Sequence, residues 1–319
     1  MAKPTFFWAN GTSYIINLWD LHWFPTSGLG NKKSVTIKGI NGQSAVWNGN
    51  VANDPFPGLV DPSAWNVVKV SYPAAIFPAF GTNGSITKGV AAVVKGINAL
   101  PKGTPFALGG YSQGAVVMSL ILKQMLSGSL TSRYADFKGA VMYGNPCRLV
   151  DDIWPAHNGL AGGSFSGAWD NPGSTTGGGG CFPAPYRLTS TPDEWFEFSG
   201  GRLNNHDPVT SNSTSGVGGD FIALNGELLD NGLGVLLELP FHLNWLTALN
   251  NLPSGEGHGS YPHQAPPGYS SSDPTSYQIG LGYLESIAKE LAVAPIILPT
   301  TTTTTTTPGW STTLNPPAA

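Results

Sequence analysis

Charge is scarce in this sequence. Asp, Glu, Lys and Arg make up 11% of its 319 residues, against about 25% in an average globular domain. A coiled coil is excluded because its heptads need charged residues at regular spacing. The 15 basic residues are too few and too scattered to form the basic face of a nucleic-acid-binding protein. Disorder is excluded because 40% of the residues are hydrophobic and the formal net charge is only −4.

Long hydrophobic runs and cysteines are also scarce. The apolar run near the N-terminus stops at Asn10, which is too early for a signal peptide. The most apolar stretch, residues 233–249, is broken by Glu238 and Pro240, so we expect no membrane-spanning segment. We therefore expect a chain that is made in the cytoplasm without a signal peptide. The two cysteines, Cys147 and Cys181, are compatible with two free buried thiols or with one disulfide.

Glycine and proline are abundant, with 42 and 27 residues, and they are concentrated in loop-like segments. We expect a folded domain over residues 1–298 and a flexible Thr/Pro-rich tail over 299–319, because the threonine run 300–307 cannot bury a core. Three long insertions interrupt the domain, at residues 18–65, 157–181 and 211–257. The last is rich in leucine, which predicts a small helical subdomain or a lid over an apolar site.

Between these insertions, strand-like and helix-like segments alternate. The helix-like segment 85–100, for example, carries Ile86, Val90, Val93 and Ile97 on one helical face. Strands are expected at 5–9, 67–71, 105–108, 140–143 and 195–198, and helices at 85–100, 113–126 and 277–291. This alternation predicts an α/β fold, in which a central parallel sheet is covered by helices on both faces.

One turn in this pattern carries a candidate nucleophile. Gly110-Tyr111-Ser112-Gln113-Gly114 matches Gly-x-Ser-x-Gly, a pattern for which chance alone predicts about half an occurrence in a chain so rich in Gly and Ser. Its context is specific, because an apolar strand enters the turn and an apolar helix leaves it. A nucleophile elbow also needs small residues on both sides of the serine. Ser112 is therefore the predicted nucleophile, and the alternative is an incidental serine in a glycine-rich turn.

Acyl transfer also needs donors that stabilise the developing oxyanion. One donor is expected from the amide after the nucleophile, which is that of Gln113. A second should come from the loop after the first strand, Asn10-Gly11-Thr12, with Thr12 as the candidate. The alternative for this loop is an ordinary turn at a strand end.

The acid and the base should follow the serine in the order Asp and then His. Asp207, just past the strand 195–198, is the predicted acid, with Asp220 as the alternative. His258, flanked by glycines before the last helix, is the predicted base, with His263 as the alternative. No zinc-binding spacing, P-loop or nicotinamide-binding fingerprint occurs, so we expect neither a metal nor a cofactor.

Three segments resemble the lysin B esterases of actinobacteriophages, which are relatives of cutinases. They are Ser-Tyr-Pro-Ala-Ala-Ile-Phe-Pro at 71–78, Phe-Ala-Leu-Gly-Gly-Tyr-Ser-Gln-Gly-Ala at 106–115 and Tyr-Gly-Asn-Pro at 143–146. The resemblance implies a cutinase-like α/β-hydrolase fold with a helical insertion between acid and base. It implies an esterase that cleaves the bond between mycolic acids and arabinogalactan in the host cell envelope. It also implies that Ser112, Asp207 and His258 are nucleophile, acid and base.

Some features depart from that family. Its His-Gly-Thr after the first strand is Asn10-Gly11-Thr12 here, and the glycine-rich insertions and threonine tail are atypical of it. Two alternatives therefore stay open: a structural minor tail protein of the virion with a lysin B-like domain, and a cutinase-like esterase of lipids or carbohydrates. The expected partners are mycolyl-arabinogalactan or another lipid ester, other virion tail proteins in the first alternative, and no nucleic acid. The expected place of action is the host envelope, with a place in the virion as the alternative.

Overall fold

The structure is a computed structural model, and it describes residues 3–12, 34–47, 54–75, 80–149, 180, 182, 186–198, 261–265 and 274–293. The Leu-rich insertion 211–257 and the tail 299–319 lie outside these residues, as does most of the insertion 157–181. The predicted domain boundary near residue 298 therefore stays a prediction. In the described part of the chain, no helix is both long and apolar enough to cross a membrane.

The described elements alternate much as the sequence predicts. The strands are β1 Thr5–Ala9, β2 Val35–Lys38, β3 Ser44–Trp47, β4 Asn66–Lys69, β5 Phe106–Tyr111, β6 Phe137–Tyr143 and β7 Trp195–Phe198. The helices are α1 Phe56–Leu59, α2 Ser85–Ala99, α3 Gln113–Ser127 and α4 Ser276–Val293, with a 3-10 helix at Thr131–Asp136. The sheet and its flanking helices make up an α/β-hydrolase fold, which confirms the predicted fold class.

Five strands form the central sheet in the order β4-β1-β5-β6-β7, and every neighbouring pair is parallel. Strand β1 lies inside this sheet, and all five of its side chains are buried. Phe6 and Trp8 point to one face, and Phe7 and Ala9 point to the other. A strand covered on both faces needs such a continuous apolar run.

The two faces of the sheet have different covers. Helices α2 and α3 cover one face with aliphatic side chains, among them Val93, Val117 and Ile121. Helix α4, the short α1 and the antiparallel β2–β3 hairpin cover the other face, which is largely aromatic. The carboxyl ends of the parallel strands thus form one edge between two packed layers, where α/β folds place their sites.

The hairpin and α1 lie within residues 18–65, which the sequence pattern indicated only as a loop-rich insertion. Trp47, Phe56 and Trp65 from this region are each no more than 2% exposed. The indole of Trp65 donates a hydrogen bond to the carbonyl of Leu284 in α4, at 3.2 Å. These aromatic residues therefore anchor the segment in the core, and its Gly, Asn and Pro content had concealed them.

A carboxyl group is buried in this aromatic layer. Asp54 is 4% exposed and accepts hydrogen bonds from the backbone amide of Phe56, at 2.7 Å, and from the hydroxyl of Tyr277. Burial raises the pKa of Asp54 from its ordinary 3.8 to about 7, although both hydrogen bonds and the charge of Lys69 act to lower it. Because the folded protein holds this proton where the unfolded chain releases it, Asp54 lowers stability as the pH rises from about 4 to about 7.

Replacing Asp54 by Asn should remove this loss, since the amide keeps an acceptor for Phe56 and cannot ionise. The free energy of unfolding of Asp54→Asn, minus that of the wild type, should rise between pH 5 and pH 7 and then level off. The full shift corresponds to a change of about 4 kcal/mol. Urea unfolding across this pH range measures the difference.

Asp61→Asn is the matched control, because hydrogen bonds from Ser63 lower the pKa of Asp61 below its ordinary value. Its stability contribution is complete above the ordinary pKa, so its difference from the wild type should be flat from pH 5 to pH 8. If the stability difference for Asp54→Asn is also independent of pH, Asp54 is not protonated in the folded protein and the raised pKa is contradicted.

Candidate active site

Ser112 occupies the turn between β5 and α3, at the carboxyl edge of the sheet. Its backbone has φ 52° and ψ −119°, a conformation that side-chain-bearing residues rarely adopt. Among the described residues, the non-glycine positions with positive φ are Ser112 and Ala74. A strained strand-to-helix turn that presents a serine is the geometry of a nucleophile elbow. The side chain of Ser112 is half-buried.

Two glycines allow this turn to form. A Cβ on Gly110 would overlap the backbone of Gly114, and a Cβ on Gly114 would overlap the carbonyl group of Ala9. The first turn of α3 therefore lies directly against the end of β1. This contact is the physical reason for both glycines of the Gly-x-Ser-x-Gly pattern, at positions where a nucleophile elbow needs small residues.

Backbone hydrogen bonds connect the elbow to the next two strands. The amide of Ser112 donates to the carbonyl of Tyr143 at the end of β6, at 2.8 Å. The next residue, Gly144, donates to the carbonyl of Phe198 at the end of β7, at 3.1 Å. The candidate nucleophile is thus connected by main-chain atoms to the strand that precedes the predicted acid.

Gln113, whose amide is the first predicted oxyanion donor, is buried and held by its side chain. Its Nε2 donates to the carbonyl of Ala75 at 2.8 Å, and its Oε1 accepts from the hydroxyl of Ser85 at 3.0 Å. The hydroxyl of Ser85 also accepts a hydrogen bond from the amide of Ala75, at 3.0 Å. Three hydrogen bonds among Gln113, Ala75 and Ser85 therefore fix the residue that follows the serine.

The loop Asn10-Gly11-Thr12, which carries the second predicted donor, follows β1 at the same edge. The indole of Trp8 donates to the side-chain oxygen of Asn10 at 2.7 Å, and the hydroxyl of Tyr72 donates to its main-chain carbonyl. Thr12 is half-buried. Because Gly114 packs against Ala9, this loop begins next to the elbow. The structure thus brings the two predicted donor segments to neighbouring positions.

A buried polar cluster that the sequence pattern does not predict lies beside the elbow. Asn145 donates from Nδ2 to the hydroxyl of Ser119 in α3, at 2.9 Å, and to the carboxylate of Glu197 in β7. The indole of Trp195 donates to the same carboxylate at 2.7 Å. The available clue was a single acid in the otherwise aromatic strand Trp-Phe-Glu-Phe. This cluster joins α3 to the ends of β6 and β7.

The predicted acid and base both lie outside the described residues, and of their alternatives only His263 is described. Asp207, Asp220 and His258 lie outside the described residues, so their roles stay predictions. His263 is exposed on a turn that leads into α4. Two residues earlier, Tyr261 is buried with its ring edge against Tyr111, at 5.7 Å between centroids. The segment that follows His258 is thereby anchored beside the elbow.

Only one of the two cysteines lies in the described part of the chain. Cys147 is buried, whereas Cys181 lies outside the described part of the chain. Its neighbours Gly180 and Phe182 donate backbone hydrogen bonds to Arg148 and Pro146, at 3.1 and 3.0 Å. The structure therefore leaves both expectations for the thiols, free or paired, untested.

The described residues contain no cluster of three or more His, Cys, Asp or Glu side chains placed to hold a metal ion.

The contact between Gly114 and Ala9 gives a direct test of the elbow. Gly114→Ala should lower the free energy of unfolding by about 2 kcal/mol or more, because its Cβ displaces β1 or α3. Gly282→Ala in α4 is the matched control, since nothing lies within 4 Å of its added Cβ. That variant should gain about 0.5–1 kcal/mol from helix propensity. Equal urea-unfolding curves for the two variants would contradict the close approach.

Comparisons with known proteins agree with this architecture. Residues 40–159 match the family model described as Cutinase. The chain is 35% identical over 109 residues to Endolysin B of Mycobacterium phage D29 and, equally, to Endolysin B of Mycobacterium phage L5. The match covers 30% of this chain and 42% of each endolysin, so the chain spans less than half the length of these relatives.

Solved structures give a weaker, broader likeness. The crystal structure of lysin B from mycobacteriophage D29 covers 91% of this chain and 90% of its own, with 20% identity and a TM-score of 0.42. A cutinase-like protein from Cryptococcus sp. covers 88% of this chain and 95% of its own, with 14% identity and a TM-score of 0.38. The family model and the sequence matches bear out the predicted resemblance to cutinases and to lysin B endolysins over the matched part of this chain.

Proposed function

We propose that this chain is a serine esterase that hydrolyses the ester between mycolic acids and arabinogalactan in the host cell envelope. The observation that carries the proposal is the strained turn at Ser112, between a buried strand and a buried helix. A residue in that conformation is stable only where the surrounding structure enforces it, and such strain is concentrated at active sites. The cutinase-like segment and the two endolysin relatives support the same chemistry.

In this proposal the hydroxyl of Ser112 attacks the acyl carbonyl and forms an acyl-enzyme. His258 takes the proton of the serine and returns it to the leaving sugar hydroxyl, while Asp207 orients and stabilises the imidazole ring. Water then attacks the acyl-enzyme, again with His258 as the base, and releases the free fatty acid. The amide of Gln113 and the loop at Thr12 stabilise the oxyanion in both steps.

Two features support a lipid ester as the substrate. The segment 211–257 is rich in leucine, and in this proposal it covers the long acyl chain. The low charge of the whole chain suits a protein that works against a lipid layer. The endolysin relatives come from phages of mycobacteria, so the proposed place of action is the mycolate-containing envelope of the host, during lysis or infection.

The first test removes the nucleophile. Ser112→Ala should lower kcat on a short p-nitrophenyl ester by at least about 1,000-fold, because no other group then forms the acyl-enzyme. Ser127→Ala is the control, since that serine lies exposed at the end of the same helix and bonds only the carbonyl of Lys123 among its described contacts. Equal rates for the wild type and Ser112→Ala would overturn the proposal.

The second test assigns the acid and the base. His258→Ala should reduce kcat to nearly the level of Ser112→Ala, and Asp207→Ala should cost about 10,000-fold. Asp220→Ala and His263→Ala should stay within about threefold of the wild type. The kcat of all four variants is measured. If Asp220→Ala loses activity and Asp207→Ala does not, the acid is Asp220, and the same comparison of His263→Ala with His258→Ala decides the base.

The substrate is tested on cell-wall material. The wild type should release free mycolic acid from mycolyl-arabinogalactan, measured by mass spectrometry of the lipid extract, and Ser112→Ala should release none. If the wild type cleaves short esters or acetylated polysaccharides but releases no mycolic acid, the activity is that of a cutinase-like lipid or carbohydrate esterase.

A further inference from the structure

The segment that follows β4, residues 72–75, has no role in the steps described above. It is short and lies at the carboxyl edge of the sheet, beyond the last pairing of β4 with β1, where the amide of Val70 bonds the carbonyl of Trp8 at 2.8 Å. Its two ends nevertheless reach both halves of the proposed oxyanion site. We call residues 72–75 the bridging segment.

One end of the bridging segment holds the loop after β1. The hydroxyl of Tyr72 donates to the main-chain carbonyl of Asn10, two residues before Thr12. The ring of Tyr72 packs closely against α2 and next to α3. A Cβ added to Gly89 of α2 would lie 3.0 Å from the Tyr72 ring and 2.7 Å from the side chain of Val117 in α3. The phenol therefore projects from a fixed ring, and burial raises its pKa above the ordinary value, which keeps it protonated as a donor.

The other end of the bridging segment holds the residue after the serine. The carbonyl of Ala75 accepts from Gln113, and the amide of Ala75 donates to Ser85, whose hydroxyl donates in turn to Gln113. The backbone of Gln113 carries the first oxyanion donor, so this closed set of bonds orients that donor.

Backbone strain marks the same connection. Ala74 has φ 51°, and Ser112 has φ 52°. Each of these residues directly precedes one partner of the hydrogen bond between Gln113 and Ala75. Non-glycine residues hold this conformation only where their surroundings enforce it. The two strained positions are therefore held together by one side-chain bond across the site.

From these contacts we infer that Tyr72 is a positioning residue, which together with Ala75 and Ser85 sets the distance between the two halves of the oxyanion site. The inference rests on the proposed esterase function. In this arrangement Tyr72 acts through the carbonyl of Asn10, to which its hydroxyl donates. The donors are useful only when both lie within hydrogen-bonding distance of the developing oxyanion, and misplacement by about 1 Å lowers the rate by up to about 100-fold.

The experiment compares two tyrosines that make the same kind of bond. Tyr72→Phe removes only the phenolic oxygen and leaves the ring packed. Tyr283→Phe is the matched control, because its hydroxyl also donates to a distant main-chain carbonyl, that of Glu194, at 2.9 Å. Glu194 directly precedes β7, so the control bond lies at the opposite edge of the sheet from the elbow.

For Tyr72→Phe we expect kcat on a short p-nitrophenyl ester to fall by about 10- to 100-fold, with KM within about twofold of the wild type. Tyr283→Phe should keep both constants within twofold, although the two variants lose similar stability in urea. Hydrogen exchange at residues 9–12 should become faster in Tyr72→Phe only. A kcat within twofold of the wild type, or unchanged exchange, overturns the inference.

Ser85→Ala keeps the inference testable if Tyr72→Phe does not fold, because it breaks the other connection of the bridging segment. It should also lower kcat at unchanged KM, and an unchanged kcat would count against the inference. If the wild type hydrolyses the ester no faster than Ser112→Ala does, both the proposed function and this inference are wrong. An active wild type with unaffected Tyr72 and Ser85 variants removes the inference alone.

Discussion

The close approach of α3 to the end of β1 is the constraint on which the site depends. Gly114 has no side chain, so the first turn of the helix reaches the carbonyl group of Ala9. This places the helix N-terminus, the serine and the loop after β1 within one small region. The N-terminal amides of a helix favour negative charge, so the same contact that fixes the packing also directs donors toward the place where an ester oxyanion would form.

The sequence predicts the α/β class because strand and helix periods alternate around apolar runs, and those runs must be buried. It also predicts the elbow, since Gly110 and Gly114 flank Ser112 between a strand and a helix. It could not predict the β2–β3 hairpin, whose strands are only four residues long. Their stability comes from Trp47 packing on distant parts of the chain, and no local pattern encodes that contact.

The polar contacts of the site also join residues that are far apart in the sequence, so no local pattern predicts them. Asn145 and Glu197 are 52 positions apart, and Tyr72 and Asn10 are 62 positions apart. No periodicity or spacing rule predicts either hydrogen bond, because a bond across a sheet depends on which strands become neighbours. Of the predicted site, Ser112, Gln113 and Thr12 lie at one edge of the sheet. The acid and the base depend on segments with weak local patterns, so there the sequence leaves two candidates for each.

The two sides of the candidate nucleophile are held by different kinds of atom. The connection from Ser112 through Tyr143 and Gly144 to Phe198 uses main-chain groups alone, so side-chain substitutions leave its donors and acceptors in place. The connection through residues 72–75 uses the side chains of Tyr72, Ser85 and Gln113. Substitutions at these side chains can therefore change the proposed oxyanion side of the site while the backbone bonds of Ser112 stay in place.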